Sequence, residues 1–254
     1  MIDLLLASIL QGITEFIPVS SSLHLIIFDK FFSTKSLTLL IIATMHLGSI
    51  IALICFLLIE TKNKLVMYKS RKFIKLMFIS SIPIFIFGFI FYELVENLDA
   101  LNILTIFTTI FFGLLLYFSD SLSKENRTLE NIDYKDSFIL GFSQCLSLIP
   151  GVSRSASIII TSRILKIDRE SSIIYSLLLS IPVIIGAFLF AMYKVQIDTI
   201  ILDKIWIDII LSLCFSFMSS FLTLKVFFKF SSTRGFGIFA IYRVFLGLFL
   251  LLQL

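Results

Sequence analysis

The stretch Leu4–Phe28, LLLASILQGITEFIPVSSSLHLIIF, is long and apolar enough to cross a bilayer, yet it carries Glu15, Pro18, three successive serines and His24. A crossing helix needs roughly 20 mainly apolar residues. Proline removes a donor from the helical ladder and pushes the residue before it out of the helical region. The stretch therefore reads as two half-helices joined by a Ser-rich turn. Ser137–Ser162, SFILGFSQCLSLIPGVSRSASIIITS, has the same design, with Arg154 as its charge and a break at Pro150-Gly151. The two turns, Ile17-Pro18-Val19-Ser20-Ser21-Ser22 and Ile149-Pro150-Gly151-Val152-Ser153-Arg154-Ser155, resemble each other weakly.

Around these two segments the chain is a membrane protein by composition. Of its 254 residues 58% are hydrophobic, and the mean hydropathy is +1.06. A soluble domain is typically about 45–50% apolar, and here the excess sits in long uncharged runs. Six of them are long enough to span: Leu37–Ile59, Leu76–Tyr92, Leu101–Ser119, Ser171–Tyr193, Ile205–Leu224 and Gly235–Leu254. The connecting loops alternate in sign. Residues 60–75 hold Lys62, Lys64, Lys69, Arg71, Lys72 and Lys75, whereas 93–100 hold Glu93, Glu96 and Asp99 without a base. Lys124, Arg127 and Lys135 follow the third span, and Lys225, Lys229 and Arg234 precede the last. Basic loops stay in the cytoplasm. The first broken segment then enters from outside and the second from inside. The expected fold is an all-α polytopic membrane protein with six transmembrane helices and two re-entrant broken-helix segments. It forms a single integral membrane domain built as an inverted-topology repeat, with halves at about 1–119 and 137–254 and a linker at 120–136. Such repeats put their site near the midplane, where the broken helices meet.

The remaining features narrow the class. The net charge of +4 is scattered over short loops, which leaves no nucleic-acid footprint. Cys55, Cys145 and Cys214 lie far apart in apolar runs, without zinc or disulfide spacing. The N-terminus carries Asp3 where a signal peptide has a basic region, so it reads as part of the mature protein.

Ionisable groups at membrane depth are costly and face a partner or a polar cavity. Glu15 and Arg154 have opposite charge and lie on opposite broken segments. They form either a clamp between the halves or part of a site, and the crowd of hydroxyls at both turns favours a site. Gln11 and Glu15 are four residues apart, so they share one helix face. The second turn, Gly151 with Ser153, Arg154 and Ser155, opens a helix. Backbone N–H groups at a helix start bind anions, and the arginine fork suits phosphate. The residues alone give an anion site with a nucleophile-and-base set sunk in the membrane. His46, in the middle of an apolar run, reads as a packing or pore-lining residue. Arg243 lies deep in the last span and reads as paired inside the bundle, with a structural role.

At these positions the sequence resembles the undecaprenyl-diphosphatase family, also called bacitracin resistance proteins. Gln11 to His24 is similar to the family's first motif and Pro150 to Ser155 to its second. Leu47-Gly48-Ser49-Ile50, Gln144-Cys145-Leu146, Ile181-Pro182 with Gly186-Ala187, and Ala240-Ile241-Tyr242-Arg243 follow in family order. The chain departs at Leu23 and Ala156, where the family usually or often has glycine, and it has Gln11 at the first acidic position. The resemblance implies hydrolysis of undecaprenyl diphosphate to undecaprenyl phosphate in the bacterial plasma membrane, at a site opening to the extracytoplasmic side. It also implies a divalent cation, Mg²⁺ or Ca²⁺, accompanying the diphosphate, although no ligand cluster in the sequence identifies a metal site. The partners are then the polyprenyl diphosphate and the bilayer, and a homodimer is left open.

On this reading Arg154, Ser153, Ser155 and Gly151 hold the phosphate with Ser20 and Ser22. Ser21 attacks phosphorus with Glu15 as base, Gln11 positions Glu15 or water, and His24 protonates the leaving group or activates water. A second version makes His24 the nucleophile. The main alternative function is a polyprenyl-phosphate flippase, because broken helices in inverted repeats are typical of transporters. The charge pattern yields a test. Cysteines introduced at 62–75 and 225–234 should be labelled from the cytoplasmic side only, and those at 93–100 from the opposite side. Labelling of 62–75 and 93–100 from one side would remove the inverted-repeat reading.

Overall fold

The computed structural model describes residues 1–32, 37–60, 70–96, 101–194 and 199–253. It is all-helical, with no strand among the described residues. The helices are α1 (Ile2–Thr14), α2 (Ser21–Phe32), α3 (Leu39–Glu60), α4 (Arg71–Ile90), the short α5 (Tyr92–Glu96), α6 (Ile103–Leu122), α7 (Tyr134–Gln144), α8 (Arg154–Ile164), α9 (Arg169–Lys194), α10 (Thr199–Arg234) and α11 (Gly237–Leu251). Lys62, Lys64, Lys69 and Asp99, on which the charge alternation partly rests, lie outside the described residues.

Five of the helices, α3, α4, α6, α9 and the 206–234 part of α10, are long and apolar enough to cross a membrane. The chain is therefore a multi-pass membrane protein. Four of the five match their expected spans to within a few residues at most termini. The largest shift is at the start of α4, which runs back to Arg71 because Ser70 caps it by accepting from the Phe73 N–H. Two expectations change. α10 has 36 residues, about 54 Å at 1.5 Å per residue, and it stays helical through Lys225 and Lys229 rather than ending at Leu224. The sixth expected span is the 15-residue α11, about 22 Å long, which is short for a core of ~30 Å.

Both broken segments break where proline dictates. α1 ends at Thr14, a turn runs through Pro18, and α2 starts at Ser21. In the second segment α7 gives way to a 3-10 turn at Cys145–Leu148. Ile149 is then extended, as a residue before proline must be, and α8 starts at Arg154.

Small residues bring the helices together. Ser220 Oγ of α10 donates to the Gly12 carbonyl of α1 at 3.1 Å and to Ser49 Oγ of α3 at 2.9 Å. On the other side Ser80 Oγ of α4 donates to the Ser137 carbonyl of α7 at 2.7 Å and meets Tyr175 Oη of α9 at 2.5 Å. Without a hydrophobic drive between helices in lipid, such close approaches and interhelical hydrogen bonds supply the association. At the far end of α6, buried Asp120 accepts from Arg163 Nε at 3.0 Å, Arg169 Nε at 2.9 Å and the Phe236 N–H at 3.1 Å. It thereby ties the ends of α6 and α8 to the starts of α9 and α11.

A Cβ on Gly12 would run into the Ser219 hydroxyl and the α10 backbone at Ser216 and Ser220. Gly12→Val should therefore part α1 from α10 at a cost of ~1–3 kcal/mol, read as a lower thermal midpoint in detergent. Gly88→Ala, whose methyl would meet only a Leu148 methyl at 3.9 Å, should leave the midpoint unchanged.

Candidate active site

The turns at Pro18 and Pro150 meet in the interior and share a backbone peculiarity. Ser20 and Ser153, each just before the helix that follows, have φ of 73° and 72°, and Gly151 has φ of 88°. Positive φ is natural for glycine and costs of order 1–3 kcal/mol at other residues when the conformation is strained. The hydroxyls repeat as well: Ser20 Oγ lies 3.4 Å from Ser22 Oγ, and Ser153 Oγ 3.1 Å from Ser155 Oγ.

Arg243 of α11 holds both turns. It is fully buried. Its guanidinium donates to the carbonyls of Pro18 at 3.3 Å, Gly151 at 2.7 Å, Val152 at 2.9 Å and Thr109 at 3.2 Å. Ser155 Oγ adds a bond to the Ile17 carbonyl at 3.1 Å, and Thr108 Oγ1 one to the Pro150 carbonyl at 2.6 Å. The carbonyls of both turns are thus bonded into the protein. At the start of α8 the Ala156 N–H is capped by Ser153 Oγ at 3.4 Å, and the N–H groups ahead of it, like those that open α2, have no intrahelical acceptor.

Glu15 is the hub. Its Oε2 accepts from Gln11 Nε2 at 2.6 Å and Ser21 Oγ at 2.7 Å, and it lies 3.1 Å from His46 Nδ1. Its Oε1 accepts from Arg154 at 2.8 Å. Arg154 also reaches the Ser180 carbonyl of α9 at 3.4 Å. The clamp and the site expected of Glu15 and Arg154 are one object: the ion pair bridges the turns and also faces a cleft of about 300 Å³.

That cleft is lined by Glu15, Ser20, Ser21, Ser22, Gly151, Ser153 and Arg154, together with His46, Ser147 and apolar residues of α9. The structure thus gathers most of the expected site residues. Gln11 and Ser155 stand behind the cleft wall, orienting Glu15 and joining the turns. His24 does not line the cleft. Its Nδ1–H donates to the Ser20 carbonyl at 2.7 Å, which leaves Nε2 to accept the Tyr242 hydroxyl at 2.6 Å. Both nitrogens are therefore committed. His46, expected to be packing or pore-lining, lines the cleft beside Glu15. The signal for it was an ionisable group in mid-span.

A groove of about 410 Å³ adjoins the cleft, walled by α4 and α9 with Phe85, Phe89, Tyr92 and Phe190. Val183 and Ala187 line both spaces. Among the described residues no group of three or more His, Cys, Asp or Glu side chains could hold a metal. The Glu15 oxygens already take three donors and face His46. The residues do not fit a resident cation.

Fold and site together define a multi-pass membrane protein with a carboxylate-centred cleft beside an apolar groove. The family model for bacitracin resistance protein BacA matches residues 4–249, and the chain belongs to that family. It is 32% identical to the undecaprenyl-diphosphatase of Pelagibacter ubique (98% of this chain, 96% of the relative). It is likewise 32% identical to that of Alteromonas mediterranea (98% and 97%) and 36% identical to that of Methanococcus vannielii (76% and 79%).

Arg243→Leu would strip the bonds from three turn carbonyls, at roughly 1–3 kcal/mol for each one left unpaired. It should lower yield and thermal midpoint more than turnover per folded molecule. A variant of normal stability without turnover would show instead that Arg243 acts on the substrate.

Proposed function

We infer that this protein hydrolyses undecaprenyl diphosphate to undecaprenyl phosphate and inorganic phosphate, returning the lipid carrier of cell-wall synthesis. One observation carries the mechanism: Ser21 Oγ sits 2.7 Å from Glu15 Oε2 in a cleft that also receives Arg154. A hydroxyl in hydrogen-bond contact with a carboxylate base is an activated nucleophile. Arg154, Ser153 and the first N–H groups of α8 take the terminal phosphate, with Ser20, Ser22 and Gly151 around it. Arg154 trades one carboxylate contact for a bidentate phosphate contact. Ser21 attacks phosphorus, Glu15 takes its proton, and the lipid phosphate leaves. Gln11 fixes Glu15. His24 holds the first turn through the Ser20 carbonyl, and this supports Ser21 rather than His24 as nucleophile. A divalent cation, Mg²⁺ or Ca²⁺, enters as the diphosphate's own counter-ion.

The apolar groove between α4 and α9 suits the polyprenyl tail. Its residues Phe89, Tyr92 and Phe190 lie at the helix ends that the charge rule assigns to the extracytoplasmic side of the plasma membrane. The two halves, about 1–119 and 137–254, form an inverted repeat of one membrane domain, with α11 as the sixth, short membrane helix and the broken segments re-entrant. The matched φ values of Ser20 and Ser153 support it, as do the paired seams of α1 with α10 and α7 with α4.

The test is phosphate release from polyprenyl diphosphate in detergent. Ser21→Ala should abolish turnover. Glu15→Gln should lose ~10²–10⁴-fold, and Arg154→Lys, which keeps charge but not the fork, at least ~100-fold. A protein that only moved the lipid would release no phosphate. A folded Glu15→Gln/Arg154→Met double variant turning over at the wild-type rate would sink the assignment.

A further inference from the structure

Resting on the reading that Ser21 attacks with Glu15 as its base, we propose that His46 accepts the proton from Glu15 between the two halves of the reaction. The need for such a group follows from having one carboxylate. In the first half the Ser21 Oγ–P bond forms and the P–O bond to the lipid phosphate breaks, its electron pair leaving with the lipid phosphate. The Ser21 proton moves to Glu15. In the second half water attacks the phosphoserine, the water proton passes through Glu15 to Ser21 Oγ as the Oγ–P bond breaks, and phosphate departs. Glu15 can accept that second proton only if it has already lost the first.

His46 is placed to take it. Its Nδ1 lies 3.1 Å from Oε2, the same oxygen that holds the Ser21 hydroxyl at 2.7 Å. Gln11 Nε2 bridges the pair, at 2.6 Å from Glu15 Oε2 and 2.8 Å from His46 Nδ1, while Gln11 Oε1 is buried without a partner. The amide nitrogen thus fixes the spacing of base and imidazole. In the tautomer with its proton on Nε2, Nδ1 has one lone pair, which Gln11 Nε2 faces at 2.8 Å and must release when the Glu15 proton arrives. The side chain is 27% exposed and lines the cleft, so the imidazolium can return its proton to water there. The charged groups that line the cleft with it are Glu15 and Arg154. Imidazole is also the side chain that commonly serves as a proton shuttle. Over the first half one proton leaves through His46, and the second half is proton-neutral.

The experiment is rapid-mix kinetics on the full-length protein with polyprenyl diphosphate, following lipid phosphate and inorganic phosphate separately. His46→Gln keeps a hydrogen-bond donor and loses the basic nitrogen. It should give a burst of about one lipid phosphate per enzyme, then a steady state slowed ~10–100-fold with little change in KM. The kcat–pH profile should differ from that of the wild type. Wild-type kcat with a wild-type pH profile in His46→Gln would overturn the proposal. If His46→Gln folds poorly, His46→Ala carries the same test. Added imidazole should restore its steady state, and a slow, burst-free variant that imidazole does not rescue counts against a proton role. Ser21→Ala is run alongside. Retained turnover there would show that the Ser21 reading has failed, an outcome distinct from a silent His46→Gln beside a dead Ser21→Ala.

Discussion

Everything at the site depends on a single buried guanidinium. Two turns with serines at positive φ would not hold their shape alone, because each stores strain and each presents carbonyls that lipid cannot satisfy. Arg243 gathers the carbonyls of Pro18, Gly151 and Val152 onto one rigid fork. A lysine, with one nitrogen, cannot span three separated acceptors in this way. α11 sets Arg243 against α6 and both turns, and Gly113 of α6 lies against the Arg243 Cβ and the Ala240 carbonyl.

A second layer of electrostatics sits in front of that clamp. Glu15 at membrane depth would be costly if bare, and it is surrounded by an amide, a hydroxyl and a guanidinium that donate to it, with an imidazole beside them. They do different things. The guanidinium compensates the charge and links the two broken segments, the amide sets the carboxylate plane, and the hydroxyl is the proposed nucleophile. Removing one partner from such a buried set leaves the others wrongly paired, so single variants at Glu15 or Arg154 are expected to cost more than the pair's net contribution.

Much of this was legible in the sequence. Long apolar runs disclosed the membrane helices, and Pro18 and Pro150 disclosed the breaks, because a missing donor acts locally whatever the fold. The four-residue spacing of Gln11 and Glu15 disclosed their contact for the same reason. What was hidden depends on distant partners. Nothing near His24 reveals that Tyr242 will take its Nε2, and nothing near His46 reveals that α3 will set it against Glu15. The ends of α10 were missed because apolarity marks where a helix enters lipid, not where its hydrogen bonding stops. Residues past Leu224 stay helical although Lys225 and Lys229 interrupt the apolar run.

The groove that joins the cleft at Val183 and Ala187 opens between two helices rather than along the bundle axis. A ligand using that doorway arrives by diffusion in two dimensions. Its encounter rate is then set by its mole fraction among neighbouring lipids, and the total aqueous volume drops out. For a carrier lipid that is a minor component of its leaflet, crowding by other acyl chains becomes the competing ligand. The aromatic walls of the doorway, more than the polar cleft, would then decide how well a long, branched isoprenoid is told apart from ordinary fatty chains.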